Sequence, residues 1–304
     1  MEIRVEHLSK RFGPQAAVDD VSFRAGVGVT GFLGPNGAGK STTMRMVTGF
    51  LEPTGGEISV GGEPVWPTRP EVRRLIGYLP EHNPLYTELY VREYLRYVAG
   101  LHGVPRARAR VDEVIERVGL TREVGKRVGQ LSKGYRQRVG LAQAIVHDPP
   151  VVILDEPTNG FDPNQLADIR ALVRQLGQTK VVLLSTHIMQ EVQALCQRVL
   201  IIDRGRLVAD DPIERLTAGR ARQRTVRLRC ERPGDLALLR GLPGVADVRA
   251  DGGRLVVTSD GARELRPAIA AAVAQAGWGL LELSADENDI EGVFQSLTRQ
   301  NATA

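Results

Sequence analysis

Over the first two thirds of the chain, short runs of β-branched residues alternate with stretches that repeat apolar side chains at helical spacing. This is the pattern of an α/β domain built on a largely parallel sheet. Val151-Val152-Ile153-Leu154 and Val181-Val182-Leu183-Leu184 are continuously apolar, which predicts central strands covered on both faces. Between them a helix is expected: Asp162 is placed to cap it, Pro163 suits its first turn, and Leu166, Ile169, Leu172, Val173 and Leu176 share one face. From about 82 to 148 helical segments, at 91–101 and 106–118, replace the strand pattern and are divided by glycine and proline. They predict a helical subdomain inside the α/β unit.

The arginine-rich stretch 204–225, broken at Asp210-Asp211-Pro212 and Ala218-Gly219, reads as a link to a second unit. There the pattern gives strand at 226–228, helix at 236–239, strands at 245–248 and 255–257, helix at 263–276 and strand at 280–283. That order is the ferredoxin-like βαββαβ plan, and a last helix would carry Ile290, Val293, Phe294 and Leu297 on one face. The expected organisation is an α/β domain over 1–218 and an accessory α+β domain over 219–304.

With 304 residues, 42% of them hydrophobic, the chain can bury one large core and a second smaller one. No run approaches the roughly 18–20 apolar residues of a membrane span, and Met1-Glu2-Ile3-Arg4 alternates like a strand instead of opening a signal segment, so a cytosolic chain is expected. A net charge of +4 permits nucleic acid or an anionic membrane surface as partner and points to neither. The arginines at 215, 220, 222 and 224 could lie against anionic lipid headgroups, but such a run is more often a solvated linker. Cys196 and Cys230 lie far apart without metal-site spacing and are expected as free thiols.

The chemistry concentrates in three segments. Gly34-Pro35-Asn36-Gly37-Ala38-Gly39-Lys40-Ser41-Thr42 matches G-x-x-x-x-G-K-[ST] between an apolar strand and a helical Met44-Arg45-Met46-Val47. Its glycines let backbone N–H groups converge on phosphates, the helix N-terminus adds its positive end, Lys40 brings a point charge, and the Ser41 hydroxyl can ligate Mg²⁺. The strand at 151–154 delivers Asp155 and Glu156 at its carboxyl end, the first placed for Mg²⁺ and the second for an attacking water. Leu131-Ser132-Lys133-Gly134-Tyr135 precedes a helix with Val139, Ala142, Ile145 and Val146 on one face, so Ser132 and the first N–H groups form a second anion site.

With these motifs in this order, the chain resembles the ATP-binding-cassette (ABC) ATPases over about 1–215. The resemblance implies a P-loop ABC fold and the binding and hydrolysis of ATP with Mg²⁺. It places Phe12 as the aromatic that stacks on adenine, Glu81 in the position of the usual glutamine as a further metal ligand, and His187 as the switch histidine beside the γ-phosphate. Gly160-Phe161-Asp162 resembles the loop that meets an opposing subunit. It further implies a dimer in which Ser132 and Gly134 of one subunit complete the ATP site of the other, docked on an integral membrane permease at the cytoplasmic face of the membrane. The sequence departs from the family at Glu81, Lys133 and Tyr135. Ile76-Gly77-Tyr78-Leu79-Pro80-Glu81 and the 131–135 signature are most similar to ABC-2-type exporters, among them the gliding-motility-associated subunit. The alternative from another class is a soluble ABC-type switch acting on the ribosome or DNA; the single phosphate loop and the lack of sustained heptads weigh against it.

Overall fold

The computed structural model describes residues 1–67, 69–218, 225–260 and 264–286, and the chain divides into two compact units, Met1–Pro212 and Ile213–Ala304. The first unit runs β1 (Ile3–Phe12), β2 (Gln15–Ala25), β3 (Gly28–Leu33), α1 (Lys40–Val47), β4 (Gly55–Val60), β5 (Glu63–Pro64), α2 (Pro70–Arg74), β6 (Ile76–Leu79), α3 (Val91–Leu101), α4 (Ala107–Arg117), α5 (Lys133–Ile145), β7 (Val151–Asp155), α6 (Pro163–Gly177), β8 (Val181–Thr186), α7 (Met189–Leu195), β9 (Arg198–Asp203) and β10 (Arg206–Pro212). A six-stranded sheet has the order β10-β9-β3-β8-β7-β6 and is parallel apart from β10, which pairs antiparallel with β9.

Both apolar runs are central strands, as their composition requires: every residue of β7 and β8 is buried. Alternate residues serve the two faces. Val151, Ile153, Val181 and Leu183 join a core with Met44, Met46 and Val47 of α1, while α6 packs on β3 and β8 and buries Ile169, Leu172, Val173 and Leu176. The α6 start is capped by Asp162, whose carboxylate accepts the Gln165 N–H at 2.9 Å.

Two parts of this unit depart from a single parallel sheet. A separate antiparallel sheet, order β2-β1-β4-β5, packs its Ile3, Val5, Val21, Phe23 and Ile58 into the same core as α1. The stretch expected as a linker instead opens with β10, held to β9 by backbone pairing and by Arg198 on Asp210 at 2.6 Å. Asp210-Asp211-Pro212 is therefore not a break. Pro212 closes an edge strand, where a missing N–H leaves no ladder bond unmade.

The second unit contains α8 (Ile213–Ala218), β11 (Thr225–Cys230), α9 (Ala237–Arg240), β12 (Val245–Asp251), β13 (Arg254–Ser259), α10 (Arg266–Gln275) and β14 (Leu280–Asp286). Its sheet is antiparallel with the order β12-β13-β11-β14, the ferredoxin-like arrangement expected for βαββαβ. Val226, Leu228, Leu239, Val257, Ile269 and Val273 form its core with Trp278. The expected last helix with Ile290, Val293, Phe294 and Leu297, and the arginines at 220, 222 and 224, lie outside the described residues. Both cysteines are free thiols.

Candidate functional site

Because β9, β3, β8, β7 and β6 run parallel, the segments that leave them emerge at one edge of the sheet, where open α/β sheets bind ligands. From β3 comes the phosphate loop, from β8 His187, from β7 Glu156 and Asn159, and from β6 Glu81. These segments line one cavity of about 670 Å³ with Asn36, Gly37, Gly39, Lys40, Ser41 and Thr42.

Packing requires glycine at two positions of the loop, Gly34 and Gly39. Gly39 has φ +106°, and a Cβ there would sit 2.5 Å from the Ala17 carbonyl oxygen of β2; at Gly34 a Cβ would meet the Ile202 carbonyl at 2.4 Å. The loop turns directly into α1, so unbonded N–H groups of the first helical turn face the cavity. Lys40 is only 7% exposed, and its Nζ donates to the Gly34 and Pro35 carbonyls at 2.7 and 3.2 Å. Burial lowers its pKa, opposed by the negative charges of Glu156, Asp155 and Glu81. An ammonium has three donors, so one remains for a phosphate oxygen.

Asp155 is buried at the end of β7, and the Ser185 hydroxyl donates to its carboxylate. The next residue, Glu156, has φ +51°, a left-handed conformation unusual for a side-chain-bearing residue. Its N–H donates to the Ser185 carbonyl at 3.2 Å and is held by Ser185 Oγ at 3.1 Å, while Gln137 Nε2 donates to the Glu156 carbonyl at 3.4 Å. The carboxylate is thereby turned so that Oε1 meets His187 Nδ1 at 2.8 Å, and Oε2 is buried without a hydrogen-bond partner among the described residues. Burial raises the Glu156 pKa, with His187 and Lys40 pulling it down. Where Glu156 acts as a base, activity needs its ionised form and falls as pH drops through the raised pKa. The acid limb of kcat/KM for ATP should thus lie above the ordinary glutamate value of about 4.3 in a pH–rate profile, and a limb at or below it would contradict this environment.

The donors around Lys40 suit a hard cation: the Ser41 hydroxyl and the Asp155 and Glu81 carboxylates are oxygen ligands of the kind Mg²⁺ takes, with phosphate and water completing its shell. Among the described residues no group of three His, Cys, Asp or Glu is arranged to hold a metal by itself.

Phe12, Ser132 and Gly134 lie elsewhere. Phe12 ends β1, half-exposed, with Lys10 Nζ 5.4 Å from its ring centre, and lines a neighbouring cavity of about 640 Å³ with Thr42, Arg45, Phe50 and Tyr78. Thr42 borders both cavities. Ser132 caps α5, accepting the Tyr135 N–H at 3.3 Å, and Gly134 packs against Phe161. One side chain links this segment to the phosphate cavity: Lys133 Nζ donates to Asn159 Oδ1 at 3.0 Å.

Sequence reasoning missed Ser185, Gln15, Ala16, Ala17, Asn159 and Arg204. Ser185 carried a usable signal, a polar residue inside an otherwise buried strand that must find partners. Gln15, Ala16, Ala17 and Arg204 come from the β1–β2 and β9–β10 hairpins, whose approach to the phosphate loop depends on pairing between distant strands.

Comparison with known proteins agrees with the fold. Residues 18–159 match the ABC transporter family. The bacitracin transport ATP-binding protein BcrA of Bacillus licheniformis is 40% identical over 217 residues, 70% of this chain and 71% of the relative. The daunorubicin resistance ATP-binding protein DrrA3 of Streptomyces coeruleorubidus is 40% identical over 220 residues, 71% of this chain and 70% of the relative. A solved ATP-binding subunit of an ABC transporter superposes with a TM-score of 0.67 at 30% identity, covering 72% of this chain and 93% of that one.

Proposed function

This chain belongs to the ABC transporter family as an ATP-binding subunit, and from that premise we propose that it hydrolyses ATP to drive export through a separate membrane subunit. The observation that carries the reading is Glu156: a buried carboxylate at the cavity, one oxygen taken by His187 and the other without a partner among the described residues, within the electrostatic reach of Lys40.

The cavity's own residues divide the work. The N–H groups of Asn36, Gly37 and Gly39, the α1 N-terminus, Lys40 and Thr42 hold the phosphates, and Phe12 stacks on the base from the adjoining cavity. Ser41, Asp155 and Glu81 would hold Mg²⁺, which would supply charge neutralisation to the phosphates. Glu156 Oε2 accepts a hydrogen bond from the attacking water and draws off its proton, while His187 Nδ1 and Ser185 fix the carboxylate and its backbone. Ser132 and Gly134 stand outside this cavity with a capped helix N-terminus. That placement supports a head-to-tail dimer in which they complete the partner's site, so that hydrolysis releases a clamp between subunits.

Export is supported by relatives named for bacitracin transport and daunorubicin resistance, and the chain aligns with most of their length. The finer likeness to the gliding-motility-associated subunit rests on 76–86 and 131–135. No helix among the described residues is long and apolar enough to cross a membrane, so attachment at the cytoplasmic face would come through the permease. The 219–304 domain is accessory to the ATP-binding domain. Purifying the full chain from membranes of its own cell should bring down an integral membrane protein together with ATP turnover. Turnover that instead depends on added nucleic acid or ribosomes would favour the soluble switch.

A further inference from the structure

The parallel strand β9 ends at the same sheet edge as β3, β8, β7 and β6, and its last residue is followed by Arg204. Arg204 and Gly205 form the two-residue turn into β10, with φ +48° and +81° and Asp203 paired to Arg206 across it. Positive φ at both central positions defines the primed hairpin turn, whose first position favours Asn, Asp or Gly because a longer L side chain crowds the backbone there. Arginine is a poor choice for the turn itself.

The turn is nevertheless tightly fixed against the phosphate loop. The Gly205 N–H donates to the Ala38 carbonyl at 2.9 Å, and the Gly205 carbonyl accepts the Asp19 N–H at 2.8 Å. Arg206 binds Asp19 at 2.7 Å from the far side of the turn, and a Cβ at Gly205 would lie 3.0 Å from the Ala17 carbonyl. The scaffold that positions Arg204 therefore touches the middle of the loop expected to hold phosphate. The Arg204 side chain, exposed to solvent, lines the same cavity as Lys40, Asn36 and Gly37. On the acidic side of that cavity stand Glu81 and Glu156.

From the hairpin's tie to Ala38 and the cation on the cavity wall, we infer that Arg204 is a nucleotide-binding residue, giving the polyphosphate a second positive contact besides Lys40. A guanidinium offers a fixed fork of N–H donors that suits phosphate oxygens, which explains why the turn carries arginine where its backbone prefers asparagine. This rests on the reading of the cavity as an ATP site.

The substitution that separates binding from folding is Arg204→Asn, since asparagine suits the turn and removes the charge. In the full chain without nucleotide, R204N should stay folded and melt in a cooperative transition. Its Kd for MgATP by titration calorimetry should rise about tenfold, and that of R204E about 100-fold, while R204K stays within about threefold of wild type. Wild-type binding with R204N and R204E both within about twofold of it would overturn the role of Arg204 alone. No ATP binding by wild type would overturn the ATP-site reading, and the inference with it.

Discussion

Glu156→Gln is expected to lower ATP turnover at least about 100-fold while leaving ATP binding intact, because it removes the only function that needs a carboxylate. The amide fills the same volume and its oxygen still accepts from His187 Nδ1, so the geometry around Ser185 and the left-handed backbone at residue 156 persists. What disappears is the acceptor that can take a proton from water. Burial already disfavours the charge at this position, so the variant should lose no thermal stability without nucleotide. Steady-state phosphate release compared with equilibrium ATP binding reads both effects. Near-normal turnover would remove Glu156 from the chemistry.

Lys40→Ala should act on the other half of the cycle, binding itself. Lys40 is the buried cation set against Glu156, Asp155 and Glu81, and without it a polyphosphate would enter a cavity whose acidic groups are opposed only by the exposed Arg204 among the residues that line it. Losing charge-assisted hydrogen bonds to phosphate costs about 1.5–3 kcal/mol each, so affinity should fall roughly 100-fold. Ligand-induced stabilisation gives a direct reading. At 100 times the wild-type Kd, ATP stabilises wild type by about 2.7 kcal/mol, and a 100-fold weaker variant by about 0.4 kcal/mol. An undiminished thermal shift in the alanine variant would mean that the loop N–H groups and Arg204 hold the nucleotide without Lys40.

What the sequence made legible follows from how local each signal is. The phosphate loop, the Asp155-Glu156 pair and the Asp162 cap are spelled within a few residues, and their supporting strands are apolar enough to be placed without knowing their neighbours. The second unit's βαββαβ order was readable for the same reason, each element being short and bounded by its own turn. The antiparallel sheet of β1, β2, β4 and β5 was not, because its pairing joins Ile3 to both Ala25 and Val60, and half-buried strands of mixed polarity leave no periodic trace of that choice. The consequence reaches the site: Ala17 packs on Gly39 only because that sheet exists, and Arg204 faces the cavity only because β9 lies next to β3. Strand β10 was hidden by its composition, since Asp210-Asp211-Pro212 reads as a break until the Arg198 pairing and the edge position are known.

The central claim is that the phosphate-loop cavity is half of a site completed by Ser132 and Gly134 of a second copy. Its most direct test is the solution mass of the Glu156→Gln chain, with and without saturating MgATP, beside the same chain carrying Ser132→Arg as well. Doubling of the mass with ATP in the single variant, and none in the double variant although it still binds ATP, is the predicted result. A single variant that stays at the mass of one chain with ATP bound, or a double variant that dimerises equally well, would contradict a shared site.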